Sequence, residues 1–450
     1  MSIPLTEALI IFWLTLWQIY ATSARLSFLK DQSMDVVFPY PVHKSSSSSP
    51  EGHMHPLGAQ RRPDGPIHEE KEMPGIREFY EKYVQVNKPA VFRQSISTQA
   101  PAFLKWSDDK YLNEKYGNLN VSVRVKLARR QSRILSENKM MKLKRFIYDY
   151  LYENLYLASN LPKQMMPDLP LPKCLRCGTL SENLLSVQLW MSAGGTSSLV
   201  HSHDNHLMHC VIFGRRDFIL IEESHKNAFP WTEDYPGSLG GHSDMDTEMV
   251  NMFSFKSILR VPWIWSTLYP GNCLFVPAGY LHQVRSYGRS ISITVEFFPV
   301  TEFDDSGCEL NEQEFIPLSD AYFLTVFANG RLRLQDEELN AERLRHILIS
   351  LVDRNDVLKL DKFDYFFKEV VGEDPALPNP YTVFKILNFG NHLDQISKTS
   401  LLSLDSSLLQ KMADVFNKAY AEIENQEQDL VKEEELATNA DTERGLHEEF

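Results

Sequence analysis

Gly194-Gly195-Thr196-Ser197-Ser198-Leu199-Val200-His201-Ser202-His203-Asp204 is the stretch on which the fold turns, and it runs on into Asn205, His206 and His209. Four histidines and an acid fall within nine positions, far denser than 14 histidines scattered over 450 residues. In an extended segment, residues two apart share a face, so His201 and His203 point one way and Ser202 the other. A second stretch, Tyr269-Pro270-Gly271-Asn272-Cys273-Leu274-Phe275-Val276-Pro277-Ala278-Gly279-Tyr280-Leu281-His282, carries a Gly turn into an apolar strand that reaches a single histidine. Around these two lie strand signals at residues 186–191, 207–213, 217–221, 272–276 and 290–298, separated by Gly and Pro turns. Many short strands so punctuated are the pattern of a β-sandwich or small barrel.

Working outward, Met73-Pro74-Gly75 precedes IREFYEKYV, whose Phe79, Tyr80 and Tyr83 sit at helical spacing. Residues 88–92 read as extended, Val121, Val123 and Val125 alternate as in a strand, and residues 141–156 have the period of one helix. Beyond residue 299 the pattern changes to helical spacing, as in Leu344, Ile347, Leu348 and Leu351.

The segment GGTSSLVHSHDNHLMHCVIFGRRDFILI resembles the ligand strand of the jumonji-C family, and LYPGNCLFVPAGYLHQVRS resembles that family's partner strand. FYEKYVQVNKPAVF, residues 106–117 and MKLKRFIYDY resemble the lead-in of the small jumonji-C hydroxylase-like proteins. The resemblance implies an α+β fold: a double-stranded β-helix of the cupin type with N-terminal helices. It also implies Fe(II) held by two histidines and one carboxylate, with positions left for 2-oxoglutarate and dioxygen, and hydroxylation or demethylation of a substrate. Carried over residue by residue, His201 and His282 match the two histidines, while His203 falls where the carboxylate belongs. Asp204 is the alternative to His203, but it needs a bulge to turn inward. Arg216 matches the lysine that pairs with the far carboxylate of 2-oxoglutarate, Ser198 a hydroxyl that helps hold it, and Leu207 the cosubstrate-contacting Asn. Three neutral imidazoles leave the metal one negative charge poorer, and loss of the Asn hydrogen bond costs about 1 kcal/mol.

Other histidines read differently. His206 and His209 are ordinary surface or core residues, and His225 and His242 fall in a solvated insert between residues 222 and 265. The centre of that insert, Ser238-Leu239-Gly240-Gly241, suits a lid over the barrel mouth.

A formal net charge of −14 argues against nucleic acid as a partner, since such binding rests on basic patches. Five cysteines are too few for a disulfide scaffold and leave at least one unpaired or paired between chains. Cys174 and Cys177 form a CxxC, open to a local disulfide, a zinc half-site or plain thiols. The apolar run over residues 8–21, followed by Thr22, Ser23 and Ala24, fits a secretory signal peptide and is short for a membrane span; no stable span is expected after its removal. Asn120-Val121-Ser122 is a glycosylation sequon, and His447-Glu448-Glu449-Phe450 resembles the KDEL class of retrieval signals. The expected address is the endoplasmic reticulum lumen or the secreted space.

The expected organisation is a signal peptide over 1–24, a disordered Ser/Pro/His-rich linker over 25–72, and the cupin-like domain over 73–300. A separate all-α domain follows: an EF-hand-like helical part over 301–385, then a helical segment and acidic tail over 386–450. Residues 353–364 have the length and flanks of an EF-hand loop, with Asp353 and Asn355 at ligand positions and Leu360 at the apolar one. Val357, Leu358 and Asp364 depart from the pattern, so calcium is not expected. Two functions remain open on the sequence: an Fe(II)/2-oxoglutarate-dependent protein hydroxylase, and a catalytically inactive module that binds a protein or peptide partner.

Overall fold

The computed structural model describes residues 36–421, apart from 47, 97, 126–138, 233–239, 301, 309–314, 337, 354–355, 371–377, 389–393 and 419–420. The chain divides into two units, residues 1–330 and 331–450.

The strands of the first unit are β1 (Gly65–Pro66), β2 (His68–Glu72), β3 (Ala90–Gln94), β4 (Asn120–Val125), β5 (Lys139–Lys142), β6 (Leu155–Asn160), β7 (Leu184–Ser192), β8 (Thr196–Ser197), β9 (His206–Phe213), β10 (Arg216–Ile221), β11 (Trp231–Thr232), β12 (His242–Ser243), β13 (Ile264–Leu268), β14 (Cys273–Val276), β15 (Leu281–Ser286) and β16 (Ser290–Phe297). They build a nine-stranded sheet in the order β2-β3-β14-β9-β16-β7-β6-β4-β5 and a five-stranded sheet in the order β1-β13-β10-β15-β8.

Period-2 alternation sorts each strand between an inside and an outside. From β9, Leu207 and Val211 join Leu274 and Val276 of β14 and Phe218 and Leu220 of β10 in one apolar cluster between the sheets. The intervening Met208, Cys210 and Ile212 face outward into the largest core, with Phe275, Ile293, Val295 and Phe297. There they meet Phe79, Tyr83, Trp106 and Phe146 from the N-terminal segments, all buried. Burying a side chain of this size contributes about 2–3 kcal/mol, so this layer is what holds the nine-stranded sheet in place. Ile219, Ile221 and Leu281 form the outer face of the smaller sheet, packed under residues of the 245–263 segment.

The structure differs from the sequence expectations at several points. The described part of the expected linker is ordered: Leu57 and Ala59 are buried, Leu57 in the outer core of the smaller sheet, and β1 and β2 extend both sheets. Its few apolar residues lack a period because they plug a surface that others form. The helix expected over 141–156 stops at Asp149, and Leu155–Asn160 pair with β7 as β6, their alternate residues buried. The first unit runs to residue 330, not 300: Leu318 and Phe323 are fully buried in its core, and Leu318 N–H donates to the Leu169 carbonyl.

The second unit is not all-α. Its helices Ala341–Ser350, Leu360–Val370, Pro380–Leu387 and Lys398–Leu402 are joined by an antiparallel pair, Val357–Lys359 with Gln395–Ser397. Leu358 and Ile396 face each other there, and both are buried. The central apolar position is therefore Leu358, while Leu360 begins a helix. An Asp353 carboxylate oxygen accepts the N–H of Val357, and the other lies 3.8 Å from Lys359 Nζ. The expected division at 385/386 falls inside the helix Pro380–Leu387. The signal peptide, the lid centre at 238–239 and the acidic tail beyond 421 lie outside the described residues.

The cysteines also pair differently. Cys177 bonds Cys308 and Cys210 bonds Cys273, which leaves Cys174 buried and free. The CxxC is thus neither a local disulfide nor a zinc half-site. Cys210 and Cys273 are directly opposed on β9 and β14, a contact that spacing alone does not show.

Candidate metal centre

His282 lies on β15, whose even residues point between the sheets, and β15 pairs with β10 so that His282 stands beside Leu220. His201 is tied to it by two backbone hydrogen bonds: His201 N–H donates to the His282 carbonyl at 3.1 Å, and His282 N–H to the His201 carbonyl at 2.8 Å. This reciprocal pair sets the two rings side by side, with centroids 4.1 Å apart. His203 comes in two residues later, its carbonyl held at 2.7 Å by the N–H of Gly279. Gly279 has φ +83°, a left-handed turn open to glycine, and this turn starts the run that delivers His282. Ser202, between the two ligand candidates, turns away and donates to the Gly240 carbonyl.

The result is a group of three imidazoles, His201, His203 and His282, each offering one nitrogen within 4.8 Å of the others. Asp204 is not part of that group. Nδ1 of His201 meets the Leu199 carbonyl at 2.9 Å and Nδ1 of His282 the Tyr280 carbonyl at 3.2 Å. A carbonyl only accepts, so both rings carry their proton on Nδ1 and present a bare Nε2, the form a metal takes. Burial and the neighbouring imidazoles push His201 down to about 3 and His282 well below its ordinary value. Both rings are therefore neutral across the physiological range, the form in which an imidazole can bind a metal.

Between the sheets also lie two polar side chains, each with a nitrogen that has no partner. Arg216, at the inward-facing start of β10, is 6% exposed and its Nε is unpaired; burial lowers the guanidinium to about 10. His209 on β9 gives Nδ1 to the Thr294 hydroxyl at 2.8 Å, and that hydroxyl oxygen already accepts from Trp190 Nε1 at 3.0 Å. The Thr294 hydroxyl either donates to His209 Nδ1, with the ring proton on Nε2, or accepts from it, with Nε2 bare. That Nε2 is buried and unpaired. Burial and then the nearby Arg216 charge hold His209 well below its ordinary value. An unmatched guanidinium donor in one interior with an unpaired imidazole nitrogen suits an oxyanion.

Of the remaining sequence candidates, Ser198 is engaged with the backbone: its hydroxyl oxygen accepts from Val284 N–H at 2.9 Å. Leu207 packs in the apolar cluster between the sheets. His206 is buried and accepts the Ala278 N–H on Nδ1. His242, expected in solvent, is 3% exposed and its backbone bridges His201, because β12 folds the insert back over the ligand strand.

Sequence reasoning missed Glu296 and Asn205. Both are buried; Asn205 Nδ2 donates to Glu296 Oε1 at 3.1 Å, and Ser186 Oγ to Oε2 at 3.1 Å. Burial alone raises the Glu296 carboxyl, but the His203 imidazole and these two donors outweigh it and lower it on balance. The signal was present: Glu296 is the single acid of the otherwise apolar and hydroxylic SISITVEF.

The family model for the cupin-like domain matches residues 76–305. Over 242 residues the chain is 24% identical to Jumonji C domain-containing protein 5 of Drosophila melanogaster, covering 50% of this chain and 58% of that protein. It is 24% identical over 231 residues to Lysine-specific demethylase 8 of Xenopus tropicalis, covering 49% and 50%, and 25% identical over 236 residues to that of Danio rerio, covering 49% and 56%. The chain thus spans about half the length of the curated relatives it matches.

Proposed function

We propose that this chain, which belongs to the cupin-like domain family, is an Fe(II)- and 2-oxoglutarate-dependent oxygenase of the protein-hydroxylase type. The observation that carries this reading is the stacking of two complementary features in one interior. Three imidazoles each offer a nitrogen to one metal ion, and the same interior holds the unpaired Arg216 Nε and His209 Nε2, a seat for an anion. A ligand with one end on the metal and a carboxylate at the other matches that pair. The donor set fits: neutral imidazole suits Fe(II), and a buried guanidinium is a bidentate carboxylate partner.

Bound there, Fe(II) with 2-oxoglutarate and dioxygen supplies the oxidising power for hydroxylation. The chain's own contribution is positional. His201 and His282 are locked by their carbonyl bonds, Arg216 and His209 set the depth and orientation of the acid, and the cluster of Leu207, Phe218 and Leu220 excludes water around it. The substrate class we favour is a protein or peptide side chain, since the relatives include proteins named as lysine-specific demethylases. The two disulfides support an oxidising compartment, in keeping with a lumenal or secreted address. No described helix is long and apolar enough to cross a membrane.

One observation favours a second reading, a non-catalytic module that binds a partner: Leu207 offers the cosubstrate no hydrogen bond and is packed among apolar residues. Anaerobic titration of metal-depleted protein with Fe(II), then with 2-oxoglutarate, separates the two. We expect one equivalent of metal, lost in His282→Ala, and metal-dependent 2-oxoglutarate binding with succinate release in air. Protein that binds metal yet neither takes up 2-oxoglutarate nor forms succinate is the module, and protein that takes up no metal ends the oxygenase reading.

A further inference from the structure

Glu296 stands directly opposite Leu207 in the pairing of β16 with β9, and its side chain points between the sheets. It is 7% exposed, and among the described residues no Lys or Arg lies within ion-pair distance of it; its partner at that range is His203, with Nδ1 3.7 Å from Oε1. A buried carboxylate without a cation is costly, several kcal/mol by ordinary estimates, unless something supplies positive charge. Asn205 and Ser186 satisfy its lone pairs but carry none. The three imidazoles differ in the same respect: His201 and His282 turn Nδ1 to carbonyls, whereas His203 turns Nδ1 to a carboxylate.

We propose that Glu296 is the acidic positioning residue of a three-histidine metal centre. From behind His203 it fixes the ring with Nε2 toward the ion and returns the negative charge that a directly ligating carboxylate carries elsewhere. The inference rests on the metal-binding reading of His201, His203 and His282. It accounts for two otherwise separate oddities, a histidine where an acid is expected and an acid buried one strand away. The charge is moved outward by one imidazole, and the cation that balances Glu296 is the bound metal ion. Carboxylates placed this way raise ligand basicity and orient the ring, and their loss costs about 10- to 100-fold in metal affinity.

The test is calorimetric titration of metal-depleted protein with Co(II), with the visible Co(II) spectrum recorded at saturation, on wild type, Glu296→Gln and Glu296→Gln/His203→Asp. Gln keeps the shape and loses the charge. We expect Glu296→Gln to bind Co(II) about 10- to 100-fold more weakly with a shifted spectrum, and the added Asp to restore affinity. The metal-free Glu296→Gln protein should stay folded and melt modestly below metal-free wild type, because the contacts from His203, Asn205 and Ser186 that favour the ionised carboxyl are weakened. A Glu296→Gln protein that fails to fold, or that binds Co(II) more weakly with an unchanged visible spectrum and no recovery on adding His203→Asp, assigns Glu296 a purely structural role and overturns the proposal. Wild-type binding with unchanged affinity in Glu296→Gln overturns it while leaving the metal site standing. No Co(II) uptake by wild type removes the metal site and this inference with it.

Discussion

Replacing Arg216 by Met should stabilise the ligand-free protein. The side chain is 6% exposed, its Nε has no partner, and burial lowers the guanidinium to about 10, well below its ordinary value. A folded value below the unfolded one means that the folded state disfavours the charged form. The penalty is therefore present in full below about pH 10, including all of the physiological range, and disappears only as pH rises from there through the ordinary value of a guanidinium. At about 1.4 kcal/mol per pH unit, the gap corresponds to about 3 kcal/mol. Met has a similar length and no charge, so Arg216→Met removes the penalty and keeps the packing. For a unit this large, about 2 °C per kcal/mol puts the rise in melting temperature at about 6 °C. The assay is thermal and urea denaturation at pH 7.5 of wild type and variant, both stripped of metal by chelation. Adding Fe(II) and 2-oxoglutarate at about 100 times its Kd should then stabilise wild type by about 2.7 kcal/mol and leave Arg216→Met unmoved by the acid. A variant that melts at or below wild type would show that the guanidinium is already paired, and the anion seat assigned to Arg216 would be lost. A site that costs stability while empty is expected where a charge is kept for a ligand.

Two further outcomes follow from the same structure. Cys210→Ser/Cys273→Ser should lower stability in urea by about 4 kcal/mol, the loop-entropy contribution of a cross-link spanning 63 positions, with reducing agent bringing wild type down toward the variant. His209, buried beside Arg216 and held well below 6.5, is neutral in the folded state and protonated in the unfolded state once pH falls below 6.5. Its contribution is therefore present above 6.5 and lost on acidification, at about 1.4 kcal/mol per pH unit. His209→Gln should flatten the acid limb of a stability-against-pH curve by up to one proton, measured by denaturant midpoints between pH 7 and 5.

Local pattern carried much of the first unit. β9, β10, β14 and β16 were readable because a strand covered on both sides is a short apolar run bounded by Gly or Pro, and their observed limits lie within a residue or two of those signals. β13 and β15 were not read as strands: Trp263-Ile264-Trp265 and the Arg285 neighbourhood mix polar and apolar residues whose burial depends on the 245–263 segment laid across them. Residues 36–72 failed for the opposite reason. They have no period of their own and are ordered only by the surface they cover.

At the site, the sequence by itself determined where the candidate ligands stand along each strand. Spacing of two put His201 and His203 together, and a Gly turn put His282 at the head of β15, because side-chain direction in an extended chain is a local property. Tertiary structure decided everything that depends on which strand lies beside which. The pairing of β16 with β9 sets Glu296 against Leu207, the pairing of β14 with β9 joins Cys210 to Cys273, and the fold of the insert lays His242 on His201. Register between strands far apart in sequence is fixed by packing of the whole core, and no local period records it.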